Sequence, residues 1–422
     1  MSLTGQRFIG NAKSDTEQYQ NLMNEGVNYA KEVGLSLGVA PTEAQLKNLK
    51  EDLVWMEEKT VDGNPVLVPV LYLAHEYTKP KGAVIDAKSI KLKVNNNLTN
   101  SGTIRTREDM TIDAGSVTNY RGEIRAGGNL NIKSIGDIQN LSGVIQGGQV
   151  VLKSTKGNIR NETLSTQREF KSKYGTDRYT NVDKTATISS TNGNLFLDAK
   201  KSVISIGANI DSKDAMLLKG NDVNIVTLEE KLSFDYTYGN GHDYGEETKH
   251  IQSSIHSGGL LSIIANNNIE LEAVSLESLD TYLYAKNDVN ILAAIDTKEI
   301  TQKRESESLF SKNKTTDQTS NTSILRTDIK TNSLTIIGDN SVTLDSVTGS
   351  VKTMDVETLE LNLLSQKESS SSQHSGDDEG IFTKTVTNKG FVEEKLIETD
   401  IKISDKMTLN GKDITDSLKS IV

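Results

Sequence analysis

Between residues 83 and 161, four apolar columns and one asparagine column repeat about every twenty residues. Ile90, Met110, Leu130 and Val150 follow one another at equal steps, and Leu92, Ile112, Ile132 and Leu152 do so two positions later. Leu98, Val117, Ile138 and Ile159 form a third column and Ile85, Ile104, Ile124 and Ile145 a fourth. Asn100, Asn119, Asn140 and Asn161 keep the same phase, and Gly102, Gly122 and Gly143 fall at the corner of the unit. A unit this short cannot bury its own apolar face, so a repeat at this period implies stacking of one unit on the next.

Within a unit the apolar residues alternate, as in Ile90-x-Leu92 and Leu130-x-Ile132, which is strand spacing and not helix spacing. The Asn-bearing pattern of a leucine-rich repeat is absent, and the strands of an antiparallel sandwich would not repeat residue for residue. The expected fold class is therefore all-β: a right-handed parallel β-helix, or solenoid, with like residues stacked in register about 4.8 Å apart. Asparagine amides would hydrogen-bond up its corners. With 12 Tyr, 7 Phe and 1 Trp in 422 residues, the interior must be mostly Ile, Leu and Val. All 4 prolines (Pro41, Pro65, Pro69, Pro80) precede the repeats, as expected if every strand donates to neighbours on both sides.

Composition narrows the function classes. A net charge of −11 with no basic stripe argues against nucleic acid as a partner. The absence of cysteine leaves the redox compartment open. No stretch approaches the length of a transmembrane helix and no signal-peptide pattern opens the chain, so an exported protein would carry it as an internal segment.

Residues 1–80 read differently. Ser14-Asp15-Thr16-Glu17 is a capping box, followed by Tyr19, Leu22, Met23, Val27, Ala30 and Val33 at helical spacing. Pro41-Thr42 is expected to open a second helix carrying Leu46, Leu49, Leu53 and Met56, with Trp55 beside them. Asp62-Gly63-Asn64 reads as a turn into the strand 66–73. The expected role is a small helical cap over the open end of the solenoid, protecting its exposed strand edge.

Residues 81–161 are then the uninterrupted coils, and 162–422 are coils with insertions at about 161–187, 227–254, 297–327 and 364–400. The intervals between insertions hold two coils each, for ten to eleven coils in all. The second insertion has the alternation Leu232-x-Phe234-x-Tyr236-x-Tyr238, the turn Gly239-Asn240-Gly241 and a return leg, which is a hairpin signature. The third and fourth resemble each other: Leu309-Phe310-Ser311-Lys312 matches Ile381-Phe382-Thr383-Lys384, and Asp328-Ile329-Lys330 matches Asp400-Ile401-Lys402. A two-stranded hairpin is about 10 Å thick, the rise of two coils. Hairpins inserted every two coils therefore arrive at the pitch needed to pair edge to edge into a second sheet along the rod.

The coils of 82–161, the Asn-Asp-Val-Asn-Ile strand at 221–225 and the Leu-Phe-Ser-Lys hairpin resemble the haemagglutinin repeats of filamentous-haemagglutinin-type exoproteins. Leu3-Thr4-Gly5-Gln6-Arg7-Phe8, Gln18-Tyr19, Gly26-Val27, Leu53-Val54-Trp55 and Val68-Pro69-x-x-Tyr72-Leu73 are similar to the segment before the second repeat region of CdiA-type contact-dependent growth-inhibition exoproteins. The resemblance implies a secreted, cell-surface protein exported by an outer-membrane two-partner secretion transporter. It also implies a region that helps deliver a C-terminal toxin into a neighbouring bacterium through that cell's surface or outer membrane.

Enzymes also use this fold, and they need carboxylates converging on a groove. Asp109, Asp113 and Glu123 on neighbouring coils are candidates, more simply read as solvated corner polarity. Asp377-Asp378-Glu379 lies in a Ser-rich stretch (369–372, with Gly376) expected to be a mobile hairpin tip. Gly239-Asn240-Gly241-His242-Asp243-Tyr244-Gly245 misses the spacing of a phosphate loop. His242, His250 and His256 lack the fixed spacing of a metal site. No catalytic, metal or cofactor residue is therefore assigned. The expectation is a non-enzymatic delivery rod whose hairpin face offers a surface for self-association, membrane insertion or a partner. An adhesin for host glycan or protein is the alternative, and a carbohydrate-active enzyme ranks third.

Overall fold

The computed structural model describes residues 15–42, 45, 49, 51–61, 64–72 and 83–415, and the chain divides into two compact units at 81/82. In the first unit a helix spans Asp15–Val33, with Leu22 and Ala30 buried. Ser14, Leu46, Gly63, Leu73 and the 3–8 motif lie outside the described residues. Thr42 and Gln45 bond reciprocally, the Thr42 N–H donating to Gln45 Oε1 at 2.9 Å and the Gln45 N–H to Thr42 Oγ1 at 3.4 Å.

From Leu53, however, the chain is extended. Leu53–Val61 pairs antiparallel with Asn64–Tyr72, which corrects the helix expected through Leu53, Trp55 and Met56. An apolar partner strand at 66–72 outweighs a weak helical period. Helix and hairpin meet at Gly26, where any Cβ would collide with the Val54 carbonyl. Ala30, Leu53 and Trp55 form the small core there, and the Trp55 indole N–H donates to Val39 O at 2.9 Å.

The second unit is a parallel β-solenoid built on three ladders. The first stacks Ile85, Ile104, Ile124, Ile145, Ile188, Ile210, Ile255, Leu276, Ile329, Gly349 and Ile401, eleven rungs in register. The second runs Leu92, Ile112, Ile132, Leu152, Leu197, Leu218, Ile263, Leu283, Ile336, Val356 and Leu409. The third runs from Leu98 through Val117, Ile138, Ile159, Val203, Val223, Ile269, Val289 and Val342 to Leu361. At about 4.8 Å per rung the shaft is about 50 Å long. Its fully buried apolar side chains are Ile, Leu, Val, Met and Ala with no aromatic ring among them. A bore one side chain deep explains that choice, and each buried aliphatic contributes about 1.5–3 kcal/mol.

In the first coils the corner from the third ladder to the first is polar inside. Asn100 donates to Asn119, Asn119 to Asn140 and Asn140 to Asn161, each at 2.8 Å. The same amides donate to Gly102, Gly122 and Gly143 carbonyls. The glycines are needed for room more than for backbone freedom. A Cβ on Gly122 would lie 2.6 Å from Asn100 Nδ2 and 2.7 Å from Asn119 Oδ1. The left-handed residues of this corner are their neighbours Arg121 (φ 54°) and Ser142 (φ 47°).

Beyond Asn161 the inward position becomes Ser205, Ile225, Leu271, Ile291 and Leu344. The stacked corner position changes with it, from Gly122 and Gly143 to Ala186, Ala208, Ser253, Val274, Thr327 and Val347. Removing the amides makes room for a side chain, and the corner fills accordingly.

Candidate functional site

Each hairpin leaves the solenoid between the third ladder and the first. The strands are Ser165–Lys171 with Gly175–Val182, Leu228–Tyr238 with Gly241–Ile251, Ala294–Glu307 with Ser311–Leu325, and Gln366–Gly380 with Lys384–Ile397. Between them the same passage is a tight turn through a left-handed residue: Gly207, Ala273 and Ser346. Tight corner and hairpin thus alternate coil by coil.

Hydroxyls, buried at Ser253 and Thr327 and half-buried at Thr399, fasten the hairpin roots. Ser253 Oγ donates to Val226 O at 2.7 Å and accepts the Ala208 N–H at 3.2 Å. Thr327 Oγ1 donates to Leu292 O at 2.8 Å and accepts the Val274 N–H at 3.1 Å. Thr399 Oγ1 does the same with Leu344 O and the Val347 N–H, both at 3.2 Å. A re-entering chain leaves these backbone groups unpaired inside the core, and the hydroxyl satisfies both at once. Sequence reasoning missed these residues. The signal was the residue before each matched Asp-Ile-Lys, Thr327 and Thr399.

The four hairpins pair with one another into a single eight-stranded antiparallel sheet, as the pitch argument requires. The seams join Gly175–Val182 to Leu228–Tyr238, Gly241–Ile251 to Ala294–Glu307, and Ser311–Leu325 to Gln366–Gly380. The sheet forms a fin whose arms lengthen from 7 and 8 residues in the first hairpin to 15 and 14 in the fourth. Residues 369–372 and 377–379, expected in a mobile tip, instead sit inside a strand paired on both sides. Partner strands supply hydrogen bonds that a Ser-rich composition does not advertise. The real turns are Lys173-Tyr174, Gly239-Asn240, Leu309-Phe310 and Ile381-Phe382. Leu309 and Phe382 are 94% and 95% exposed.

Polar contacts lock the seam between the second and third hairpins. Arg304 holds Asp243 with both terminal guanidinium nitrogens, one to Oδ2 at 3.0 Å, and lies 5.4 Å over the Tyr238 ring. The Tyr238 hydroxyl also donates to Asp243, and the Tyr236 hydroxyl to Asp177. The Arg304 hydrogen bond pulls the Asp243 carboxyl below its ordinary range against an opposing desolvation. Glu247 is lowered first by its hydrogen bond to Lys249.

Of the carboxylates weighed for catalysis, Asp109, Glu123 and Asp377 each have a partner of their own. Asp109 accepts the Asn129 N–H at 2.7 Å, Asp113 sits exposed in register between Lys93 and Lys133, and Glu123 pairs with Arg125 at 2.9 Å. Asp377 faces Lys384 at 3.2 Å. The histidines are not brought together: His242 meets Asp235 at 2.9 Å, His250 meets Asp296 at 2.9 Å, and His256 lies 3.8 Å from Glu277. Among the described residues no group of three or more His, Asp or Glu could hold a metal. No helix among them is long and apolar enough to cross a membrane.

The second unit is thus a solenoid rod with a lateral sheet. Part of the chain is similar to stretches of CdiA proteins. It is 38% identical over 234 residues to the tRNA nuclease CdiA of Escherichia coli O6:K15:H31 (strain 536 / UPEC), covering 53% of this chain and 7% of that protein. It is 33% identical over 213 residues to the 16S rRNA endonuclease CdiA of Enterobacter cloacae subsp. cloacae, covering 50% and 6%. It is 30% identical over 297 residues to the tRNA nuclease CdiA of Escherichia coli (strain STEC_O31), covering 68% and 9%. No family model and no solved structure matches the chain.

Proposed function

We propose that this chain is an internal rod segment of a CdiA-type exoprotein, supporting contact-dependent delivery and performing no catalysis itself. One observation carries the reading. The matched relatives are named for different activities, a tRNA nuclease and a 16S rRNA endonuclease among them, yet they share similarity to this one chain. A stretch shared by proteins of different activity belongs to what they have in common. Eleven stacked rungs supply a stiff spacer, and the fin supplies a lateral surface with apolar turns at Leu309-Phe310 and Ile381-Phe382. In this reading the protein reaches the cell surface through an outer-membrane two-partner transporter, and the turns face the target-cell envelope.

The test replaces the four hairpins with tight corners in the full-length protein on inhibitor cells. Surface display should persist while growth inhibition of co-cultured target cells is lost. Undiminished inhibition with normal display would remove the fin from delivery.

A further inference from the structure

We propose that the first two hairpins carry a glycan-binding platform on one face of the fin. Residues directly paired across antiparallel strands share a face. Three such pairs join a glycine to an aromatic ring: Gly175 to Tyr236, Gly245 to Phe234, and Gly241 to Tyr238. In each pair the ring lies over the glycine. A Cβ added there would come 2.7 Å from Tyr236 Cδ1, 2.9 Å from Phe234 Cε1 and 2.9 Å from Tyr238 Cε2. Rings laid down on bare backbone turn their outer faces to solvent, where an upright ring would offer an edge.

The arrangement is held rigid. Tyr236 and Tyr238 donate their hydroxyls to Asp177 and Asp243, and Arg304 holds Asp243 from the next hairpin. Phe234 and Tyr236 sit 6.4 Å apart at 31°. With Tyr174 and Ser172 from the first turn, these residues line a shallow open depression.

The ligand class follows from what this surface offers and refuses. The strands bearing the platform are hydrogen-bonded on both sides, so an incoming peptide finds no free edge for strand addition. Asp177 and the net charge of −11 disfavour sulfated or phosphorylated ligands and nucleic acid. Flat, immobile π faces beside carboxylate and hydroxyl acceptors suit a neutral pyranose chain. Its C–H faces stack on the rings, and its hydroxyls donate at the rim. A glycan platform here is independent of any role of the rod in delivery, and glycan binding and growth inhibition are separate measurements.

The test is binding of the purified chain to an array of neutral chito-, cello-, malto- and galacto-oligosaccharides, with heparin oligosaccharides as the anionic arm. Binding should be confined to neutral members. Tyr238→Ala and Tyr174→Ala should each weaken it about tenfold, the scale of one stacked ring. Tyr174 sits in a turn, so its truncation leaves the hairpin ladder in place. Phe391→Ala, on the same face but paired with Ser372, is the control and should change nothing. No neutral binding, a preference for heparin, unchanged binding in Tyr174→Ala and Tyr238→Ala, or an equal loss in Phe391→Ala would each overturn the proposal.

Discussion

The coils at 83–161 and those at 187–364 solve one corner in two ways. The first group fills it with a buried column of asparagines and leaves glycine beside them for room. The second passes through Ser205 and then fills it with Ile225, Leu271, Ile291 and Leu344, and sets Ala, Val or a hydroxyl residue at the turn. The polar column is tied by hydrogen bonds from coil to coil, and Asn140 reaches past the first hairpin to Thr187 O. Hairpins begin where it stops, directly after Asn161. An aliphatic corner joined to a single hydroxyl lets the chain leave and return, because the hydroxyl replaces the backbone contacts that the excursion breaks. The asparagine column therefore marks the part of the rod built for continuity, and the Thr/Ser roots mark the part built to display.

The largest effect tests what both groups share. Ile132→Asp places a carboxylate between Ile112 and Leu152 and should cost about 3–5 kcal/mol, as an unpaired buried charge does. Lys133→Asp, one position along and facing out, should stay within about 0.5 kcal/mol. Equal losses in thermal unfolding would mean the inward face is misassigned.

Exchanging corner chemistry tests the difference directly. Asn140→Ala strips the partner of Asn119 and the donor to Asn161, Gly143 and Thr187, and each buried group left unpaired costs about 1–3 kcal/mol. Ile291→Asn makes the reverse change between Leu271 and Leu344, where no amide waits. Denaturant titration should show both destabilised. If Ile291→Asn proves neutral, the columns are interchangeable and the comparison fails.

A smaller effect isolates the root hydroxyl. Thr327→Val keeps the shape but leaves the Val274 N–H without its acceptor, a loss of about 1–2 kcal/mol. Faster hydrogen exchange should be concentrated in 294–325, with 110–154 unchanged. Uniform change along the chain would contradict a local fastening role.

Legibility followed periodicity. The coils were readable because each column repeats through many rungs, and the hairpins because an excess of residues separated known strands. The fin was readable from spacing alone, since two coils and one hairpin have the same thickness. Single residues without a repeat were not. Arg121 and Ser142 occupy left-handed positions that a glycine rule assigns elsewhere. Trp55 and Met56 joined a strand because a partner existed. The flat aromatic pairs depend on cross-strand register, which alternation in Leu232–Tyr238 hinted at but could not match to Gly175 or Gly245.

The smallest expected effect separates fin from coils by acid. In the fin, carboxyls are held low: Asp243 by Arg304, Glu247 by Lys249, Glu229 by Lys231, Glu305 by Lys314 and Glu169 by Lys171. On the coils, burial pushes Asp211 and Glu270 up. A lowered carboxyl stabilises the fold above its unfolded value, about 3.9 for Asp and 4.3 for Glu, and that contribution is lost as pH falls through the folded value. A raised carboxyl does the opposite: its strain is present at neutral pH and is relieved as pH falls through the raised value. Acidification should therefore loosen the fin while the coils around 209–212 and 269–272 hold or gain. Hydrogen exchange at neutral pH and near pH 3.5, corrected for intrinsic rates, would show protection falling first in 228–251 and 294–307. Arg304→Gln should make the neutral-pH pattern at that seam resemble the acid one. If the coils lose protection before the fin, the division of electrostatic roles between the two regions is wrong.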